Sequence, residues 1–356
     1  MTEPVPAASA ARPSVSIIVV NYNSGTDLVD CLAALTTTEA ALPIEIVVVD
    51  NASNDNSLAL AEDWAKQRHD LKIVRSPVNR GYAGGVNLAL TQTQGTYVAV
   101  LNPDMIVSTG WLTPLVAFLE AQPQVGAVNP LIVLHGAGER INAAGQEVHL
   151  TGLGFNRWLG QPRSRAGTEP LRVSGLQGGA FLIRRSLLDQ MGGWDDSGFL
   201  YHEDVELSWT LQLMGYDLYC LPAVTVRHDY HLTMYPEKLF LLERNRVAML
   251  FTHLEVLSLW RVSPFLFCTE LFMWVYCLLR GRDFMKAKAA SYQWVIQHPE
   301  HLQARKAFLH SLRRRTDWQM LKRLSWGYAW DQFLTLGQER GRSRRMPVGG
   351  LPVNPS

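Results

Sequence analysis

Apolar residues come in short unbroken runs near the start of the chain and in long helix-like stretches towards its end. Val15, Ile17, Ile18, Val19 and Val20 make a β-branched run that stops at Asn21-Tyr22-Asn23-Ser24-Gly25. A run of this kind suits a strand buried on both faces and followed by a turn. Ile44 to Val49 repeats the pattern and stops at Asp50-Asn51-Ala52-Ser53-Asn54-Asp55, Leu71 to Val74 gives a shorter strand, and Tyr97 to Leu101 ends at Asn102-Pro103-Asp104. Between them the pattern predicts helices from about Asp27 to Thr37, from the Asp55 turn to about Arg68, and from the glycine-rich segment Asn79 to Asn87 onward. Strands alternating with helices at this spacing predict an α/β fold built on a doubly wound sheet with right-handed crossovers.

After Arg246 the pattern changes to long helices, Leu239 to Arg261 and Val262 to Leu279. The second is apolar except for Ser263, Pro264, Thr269 and Glu270. A carboxylate at the centre of a bilayer costs ~2.5 to 3.5 kcal/mol even on a lenient scale. The stretch therefore reads as a helix lying on a membrane or packed in a core, ahead of one that spans.

Composition adds charge asymmetry to this picture. The formal net charge of +1 conceals 15 basic and 5 acidic residues from Arg280 to Ser356, against 18 and 27 before them. A basic tail suits a polyanionic surface, and an apolar helical face beside clustered arginine suits an anionic membrane. A helical bundle capping the rest of the chain, or an oligomer interface, is the alternative. No aromatic-basic interleaving supports nucleic acid as the partner. The four cysteines are scattered, without a C-x-x-C pair, which fits a reducing compartment. The first 14 residues show no basic region followed by an apolar one, so no secretory signal is expected and a cytoplasmic location is. At 356 residues, about two domains of ~150 are expected. The expected division is a flexible N-terminus (1–13), a catalytic domain (14–246, in halves 14–104 and 105–246), a helical, membrane-associated region (247–335) and a basic flexible tail (336–356).

In doubly wound sheets ligands lie beyond the carboxyl ends of the strands, where Asn21 to Ser24, Asp50 to Asp55 and Asn102 to Asp104 would converge. Each cluster alone also suits a turn or a helix cap. Together, Val15 to Ser24 (VSIIVVNYNS), Val47 to Asp55 (VVVDNASND), Asn79 to Asn87 (NRGYAGGVN) and Leu101 to Asp104 (LNPD) resemble the nucleotide-sugar half of inverting family 2 glycosyltransferases with the GT-A fold. The likeness continues through Gly178 to Arg185, Gly192-Gly193-Trp194-Asp195, Tyr201 to Leu207 and His228, and fades after Glu243-Arg244-Asn245-Arg246; the chain looks most like the rhamnosyltransferase-like branch. The resemblance implies a mixed sheet flanked by helices, a nucleotide-diphosphate sugar donor and Mg²⁺ or Mn²⁺.

It also implies roles. Asn21, Asn23 and Asp50 stand at strand ends that would hold the donor, Asp50 taking the base or ribose. Asn79-Arg80-Gly81, with Gly84 and Gly85, is not a G-x-G-x-x-G fingerprint, yet its glycines permit close backbone approach to a ligand and Arg80 would face the diphosphate. Asn102-Pro103-Asp104 stands where this superfamily commonly has D-x-D. Asn102 replaces the first acid and weakens the charge, while Asp104 remains a ligand for a hard cation and His228 resembles the second ligand. Asp204 takes the place of the general base that deprotonates the acceptor, with Glu203 as its orienting neighbour. Gly179 would lie beside the sugar, Trp194 and His202 near the acceptor, and Arg244 near the leaving diphosphate.

The expected reaction is inverting transfer from thymidine diphosphate rhamnose or a uridine diphosphate sugar to a lipid-linked or oligosaccharide acceptor, at the inner face of the cell membrane. The alternatives are a sugar nucleotidyltransferase, whose basic glycine-rich signature after the first strand is missing at Asn21 to Ser24, and a non-catalytic membrane-bound scaffold.

Overall fold

The computed structural model describes residues 14–36, 42–66, 68–136, 139–229, 233–330 and 332. The expected N-terminus 1–13 and basic tail 336–356, with Arg342 to Arg345, lie outside the described residues. The first half alternates as its pattern predicts: β1 (Val15–Asn21), α1 (Asp27–Thr36), β2 (Ile44–Asp50), α2 (Ser57–Ala65), β3 (Leu71–Arg75), α3 (Gly81–Leu90) and β4 (Tyr97–Leu101). Then come β5 (Met105–Val107), α4 (Leu112–Ala121), β6 (Val125–Leu134), β7 (Ile141–Ala143), β8 (Gln146–Val148), β9 (Gly154–Asn156), β10 (Leu171–Val173), β11 (Ala180–Arg184), α5 (Arg185–Met191), α6 (Glu203–Leu213) and β12 (Asp217–His228). The C-terminal helices are α7 (Pro236–His253), α8 (Val256–Arg280), α9 (Arg282–Gln297), α10 (Pro299–Leu312) and α11 (Asp317–Leu321).

The main sheet runs β10-β12-β6-β11-β4-β1-β2-β3, with β5 paired to β12 and β7 to β6. Strands β3, β2, β1 and β4 are parallel, whereas β11 is antiparallel to both β4 and β6, so the sheet is mixed. Successive residues of β1 face opposite layers. Val15, Ile17 and Val19 join Leu28, Leu32 and Leu115, and Ile18 and Val20 join Ala83, Val86 and Leu211. Burial on both faces explains why these strands read as unbroken apolar runs.

The glycines of the third helix serve the chain's own packing, which corrects their expected role toward a ligand. A Cβ at Gly81, where φ is +71°, would lie 2.0 Å from the Phe199 carbonyl oxygen, and one at Gly85 would lie 2.7 Å from Val20 Cγ1. These contacts seat α3 on β1 and on the 196–201 segment.

Two expectations about the C-terminal region change. The long helices break at Leu254, not Arg261, and α8 continues through Pro264. The break is stabilised from outside: the Glu255 N–H donates to Asp317 Oδ2 at 2.7 Å and Lys306 Nζ to the Leu254 carbonyl at 2.9 Å. Helix α7 also runs unbroken through the expected boundary at 246. Much of the positive charge faces the chain's own acids. Arg172, Arg315 and Arg323 converge on Asp217, Arg305 pairs with Glu206 at 3.0 Å, and Arg313 pairs with Asp317.

Glu270 lies in a desolvated network instead of facing lipid. Arg246 Nη2 reaches Glu243 Oε2 at 2.9 Å and Glu270 Oε1 at 2.5 Å, Lys288 Nζ pairs with Glu243 and with Glu270 Oε2 at 2.7 Å, and Tyr292 donates to Glu270. The network joins α7, α8 and α9. Removing one member of a buried network leaves an uncompensated charge, so Glu243→Gln should lower stability by about 3–5 kcal/mol, read by urea denaturation. A loss below about 1 kcal/mol, the range of exposed pairs, would contradict this burial.

Candidate functional site

The order of strands reverses at β1, with β2 and β3 on one side and β4 on the other. The polar clusters meet at that carboxyl edge, where open α/β sheets bind ligands. Asn21 is fully buried, and its amide donates to Asp50 Oδ1 at 2.9 Å and to Ser53 and Ser57 hydroxyls. It therefore orients Asp50 from beneath. Asp50 is itself 3% exposed, with Oδ2 accepting the Ser53 N–H at 3.2 Å. Asn23, at φ +54°, shapes the turn by accepting the Asn54 N–H.

Asn51, which no motif assigned, is the clamp between two clusters. Its amide donates to Asn79 Oδ1 at 3.0 Å and to the Gly81 carbonyl at 2.8 Å, and its Oδ1 accepts the Arg80 N–H at 2.9 Å. Arg80 is thereby held at the start of α3, exposed, with Nε on the Ser76 hydroxyl at 3.1 Å. Its charge remains presented to the solvent at this edge.

Antiparallel pairing of β5 with β12 sets His228 opposite Met105, next to Asp104. His228 Nε2 lies 3.3 Å from Asp104 Oδ2, and His228 Nδ1 lies 2.9 Å from Asn142 Oδ1. With the Asn142 oxygen as acceptor, Nδ1 carries the proton and the Nε2 lone pair points at a carboxylate. Two acceptors face to face need a proton or a cation between them. Among the described residues, Asp104 Oδ1 and Asn102 Oδ1 are also buried without a hydrogen-bond partner. This donor set fits a hard divalent cation, with Asp104 and His228 as ligands and Asn142 as the group that fixes the imidazole. Among the described residues, no third His, Cys, Asp or Glu joins the pair.

The third part of the site is at the start of α6. Asp204 Oδ2 accepts the Gly178 N–H at 3.0 Å and the Gln146 amide at 2.8 Å, and Oδ1 accepts the Val205 N–H at 2.8 Å. Gly179 ties this region to the cation pair, its carbonyl accepting the Asn102 N–H at 2.8 Å. Its missing side chain makes room for Met105 Cε, which a Cβ would approach to 2.0 Å. Burial raises the Asp204 pKa against the pull of its three donors. Among the described residues Glu203 Oε2 has no hydrogen-bond partner, and burial, then the Asp204 charge, pushes the Glu203 carboxyl up to about 8. The Tyr82 hydroxyl donates to the Gly178 carbonyl at 3.2 Å. Burial and then the charges of Glu203, Asp204 and Asp104 raise its pKa well above the ordinary range, so three carboxylates bear on one point.

Three of the residues expected near the ligands are buried and held by the chain's own atoms. Trp194 is 8% exposed, tilted against Phe181 in the core with its backbone held by Asn87, so its ring offers no open face to a sugar. Arg244 is 6% exposed and donates to the Ser197 and Gly198 carbonyls at 3.1 and 2.7 Å, bracing that loop. His202 is buried at φ +72° immediately before α6, and burial, then Arg246, lowers its pKa to about 3. It stays neutral and shapes the turn that presents Glu203 and Asp204.

The mixed sheet flanked by helices is a fold of the GT-A type. The fold resembles the crystal structure of GalNAc-T7 with UDP, GalNAc and Mn²⁺ at a TM-score of 0.56 and 21% identity, over 68% of this chain and 48% of that one. Residues 16–192 match glycosyl transferase family 2 and form a domain of that family. It is 29% identical to the β-monoglucosyldiacylglycerol synthase of Trichormus variabilis over 184 residues, 51% of this chain and 37% of the synthase. It is also 29% identical to the N-acetylglucosaminyl-diphospho-decaprenol L-rhamnosyltransferase of Mycobacterium tuberculosis over 241 residues, 61% of this chain and 76% of that enzyme. The chain thus spans little more than a third of the synthase's length.

The carboxylate pair has a consequence for stability. A carboxyl held up to about 8 binds its proton more tightly in the folded state than in the unfolded chain, where the ordinary value is 4.5. Its stabilising contribution is complete below about pH 4.5 and is lost as the pH rises through about 8. Glu203→Gln should flatten the fall in melting temperature between about pH 5 and 8, with the largest gain at the alkaline end. An unchanged slope in the variant would assign the titration elsewhere.

Proposed function

We propose that this chain transfers a sugar, with inversion at the anomeric carbon, from a nucleotide diphosphate to a carbohydrate acceptor carried on a lipid in cell-envelope assembly. The observation that carries the reading is the meeting of the Asp104–His228 pair and the gripped Asp204 at the carboxyl edge of a family 2 domain. The lipid acceptor is inferred from relatives whose names specify a diacylglycerol and a decaprenol diphosphate. Thymidine diphosphate rhamnose is the first donor to test, and uridine diphosphate sugars follow.

Asp50 and Asn51 are assigned to the nucleoside side of the donor and Arg80 to its diphosphate. Asp104 and His228 would hold Mg²⁺ or Mn²⁺, whose remaining positions suit diphosphate oxygens and water. When bound, the cation neutralises charge on the leaving diphosphate. Asp204 receives the acceptor proton. Its three donors fix the carboxylate in place, and its raised pKa suits a base working near neutral pH. Glu203 is a second candidate for that proton, because its Oε2 has no hydrogen-bond partner among the described residues.

Asp204→Asn keeps the shape and loses the base, so transfer should fall by about 10²–10⁴-fold. Donor affinity by calorimetry with Mn²⁺ should stay within a few-fold. Near-normal turnover in this variant would move the role to Glu203. Asp104→Asn should weaken both donor binding and rate.

Excess EDTA should abolish transfer, with recovery on adding Mg²⁺ or Mn²⁺. Full activity of metal-stripped protein would sink the cation assignment. A panel of nucleotide sugars, scored by thermal stabilisation with Mn²⁺ present, identifies the donor, since a ligand that binds only the native state raises apparent stability.

A further inference from the structure

Helix α8 buries Val262, Met273 and Cys277 and exposes a broad apolar face. Its polar residues Ser258, Thr269 and Glu270 face the protein, where Thr269 bonds to the Thr151 and Tyr328 hydroxyls at 3.0 and 2.8 Å and Glu270 enters the ion network. Its outer face carries Trp260, Phe267, Leu271, Val275, Leu278 and Leu279, of which Trp260, Phe267 and Leu279 are 73%, 71% and 81% exposed. The exposed positions of this helix include no carboxylate, and their charges are Arg261 and Arg280, near its two ends. Half-exposed indoles extend the patch sideways: Trp330 meets Phe272 at 4.9 Å and Trp326 meets Phe265 at 5.5 Å between ring centroids.

We propose that this face of α8 docks the protein on an anionic lipid surface, with the helix lying flat at the boundary between headgroups and acyl chains. The chemistry is that of an interfacial helix, an apolar face with indoles at its margin and basic residues at its ends. Charge complementarity selects lipid over a second copy. In a two-fold contact the same patch meets itself, and this patch offers no carboxylate to Arg261 or Arg280, whereas anionic headgroups supply the missing countercharge.

By length and apolarity α8 could cross a membrane, but its inner face decides for the flat orientation. Crossing would strip Glu270 from Arg246 and Lys288 and leave those charges and Glu243 unmatched in a nonpolar setting. The same contacts link the docking face to the site. Arg246 and Glu243 sit on α7 beside Arg244 and Asn245, which hold the carbonyls of Ser197, Gly198, Leu200 and Tyr201. That loop leads directly into His202, Glu203 and Asp204, so docking sets the orientation of the site toward the membrane. The proposal stands on the helix and does not depend on the sugar-transfer reading.

Of the four cysteines only Cys268 is exposed, and it lies on this face, where it reports occupancy. The full-length protein should sediment with vesicles of 70% phosphatidylcholine and 30% phosphatidylglycerol, and Cys268 should become protected from a maleimide when they are added. The double variant Phe267→Glu/Leu271→Glu should lose about tenfold or more of this binding with an unchanged melting temperature, because both side chains face solvent. Arg261→Ala/Arg280→Ala should weaken binding to the anionic vesicles and reduce its salt dependence. Equal binding by the Glu double variant, or no binding by the wild-type protein, would overturn the proposal. Concentration-dependent protection of Cys268 without lipid, abolished in the Glu double variant, would instead make the face a subunit interface. Retention in the membrane through alkaline carbonate extraction would overturn the flat orientation.

Discussion

Holding three carboxylates at one end of a sheet is the constraint from which the rest of the site follows. Asp104, Glu203 and Asp204 all bear on Tyr82, and like charges in a poorly hydrated place repel strongly. The fold answers differently for each. Asp204 is met by three hydrogen-bond donors, Glu203 shifts its titration upward, and Asp104 faces an imidazole fixed by Asn142. A divalent cation held between Asp104 and His228 would supply positive charge where the proposed transfer needs it.

The sheet makes this convergence possible because the strands adjoining β4 run both ways. Parallel β1 and β2 bring Asn21 and Asp50 to the edge where β4 ends, and antiparallel β11 starts at that edge, placing Gly178 and Gly179 beside Asn102. Strand β12 reaches the same region at its end with His228. The mixed order thus joins the parallel strands that end at Asn21 and Asp50 to the strands that bring Gly179 and His228.

The C-terminal helices extend this arrangement instead of forming a separate body. Arg246, Glu243, Lys288 and Glu270 link three helices through an inward ion network, while Trp260, Phe267, Leu271 and Leu279 of α8 face outward. Arg244 and Asn245 tie these helices to the loop that leads into Glu203 and Asp204.

Local pattern was sufficient for the first four strands, because burial on both faces writes unbroken β-branched runs that need no knowledge of the partner strand. The polar clusters at their ends were legible for the same reason, since each follows a strand directly. Asp50 and Asp104 stood in such places, whereas Asp204 opens a helix and His228 ends a much later strand. Tertiary structure alone decided the rest. Gln146 and Asn142 come from short strands without a motif, and Asn51 was hidden in a cluster that could have been a turn. Trp194 and Arg244 sat in matching motifs yet face inward, and the glycines of α3 make room for Val20 and Phe199. Pro264 did not break its helix, while Leu254 did, held by Lys306 from far along the chain. Sequence determines which segments must be buried and which residues carry chemistry; what each side chain touches depends on partners distant in the chain, and only the folded packing brings those together.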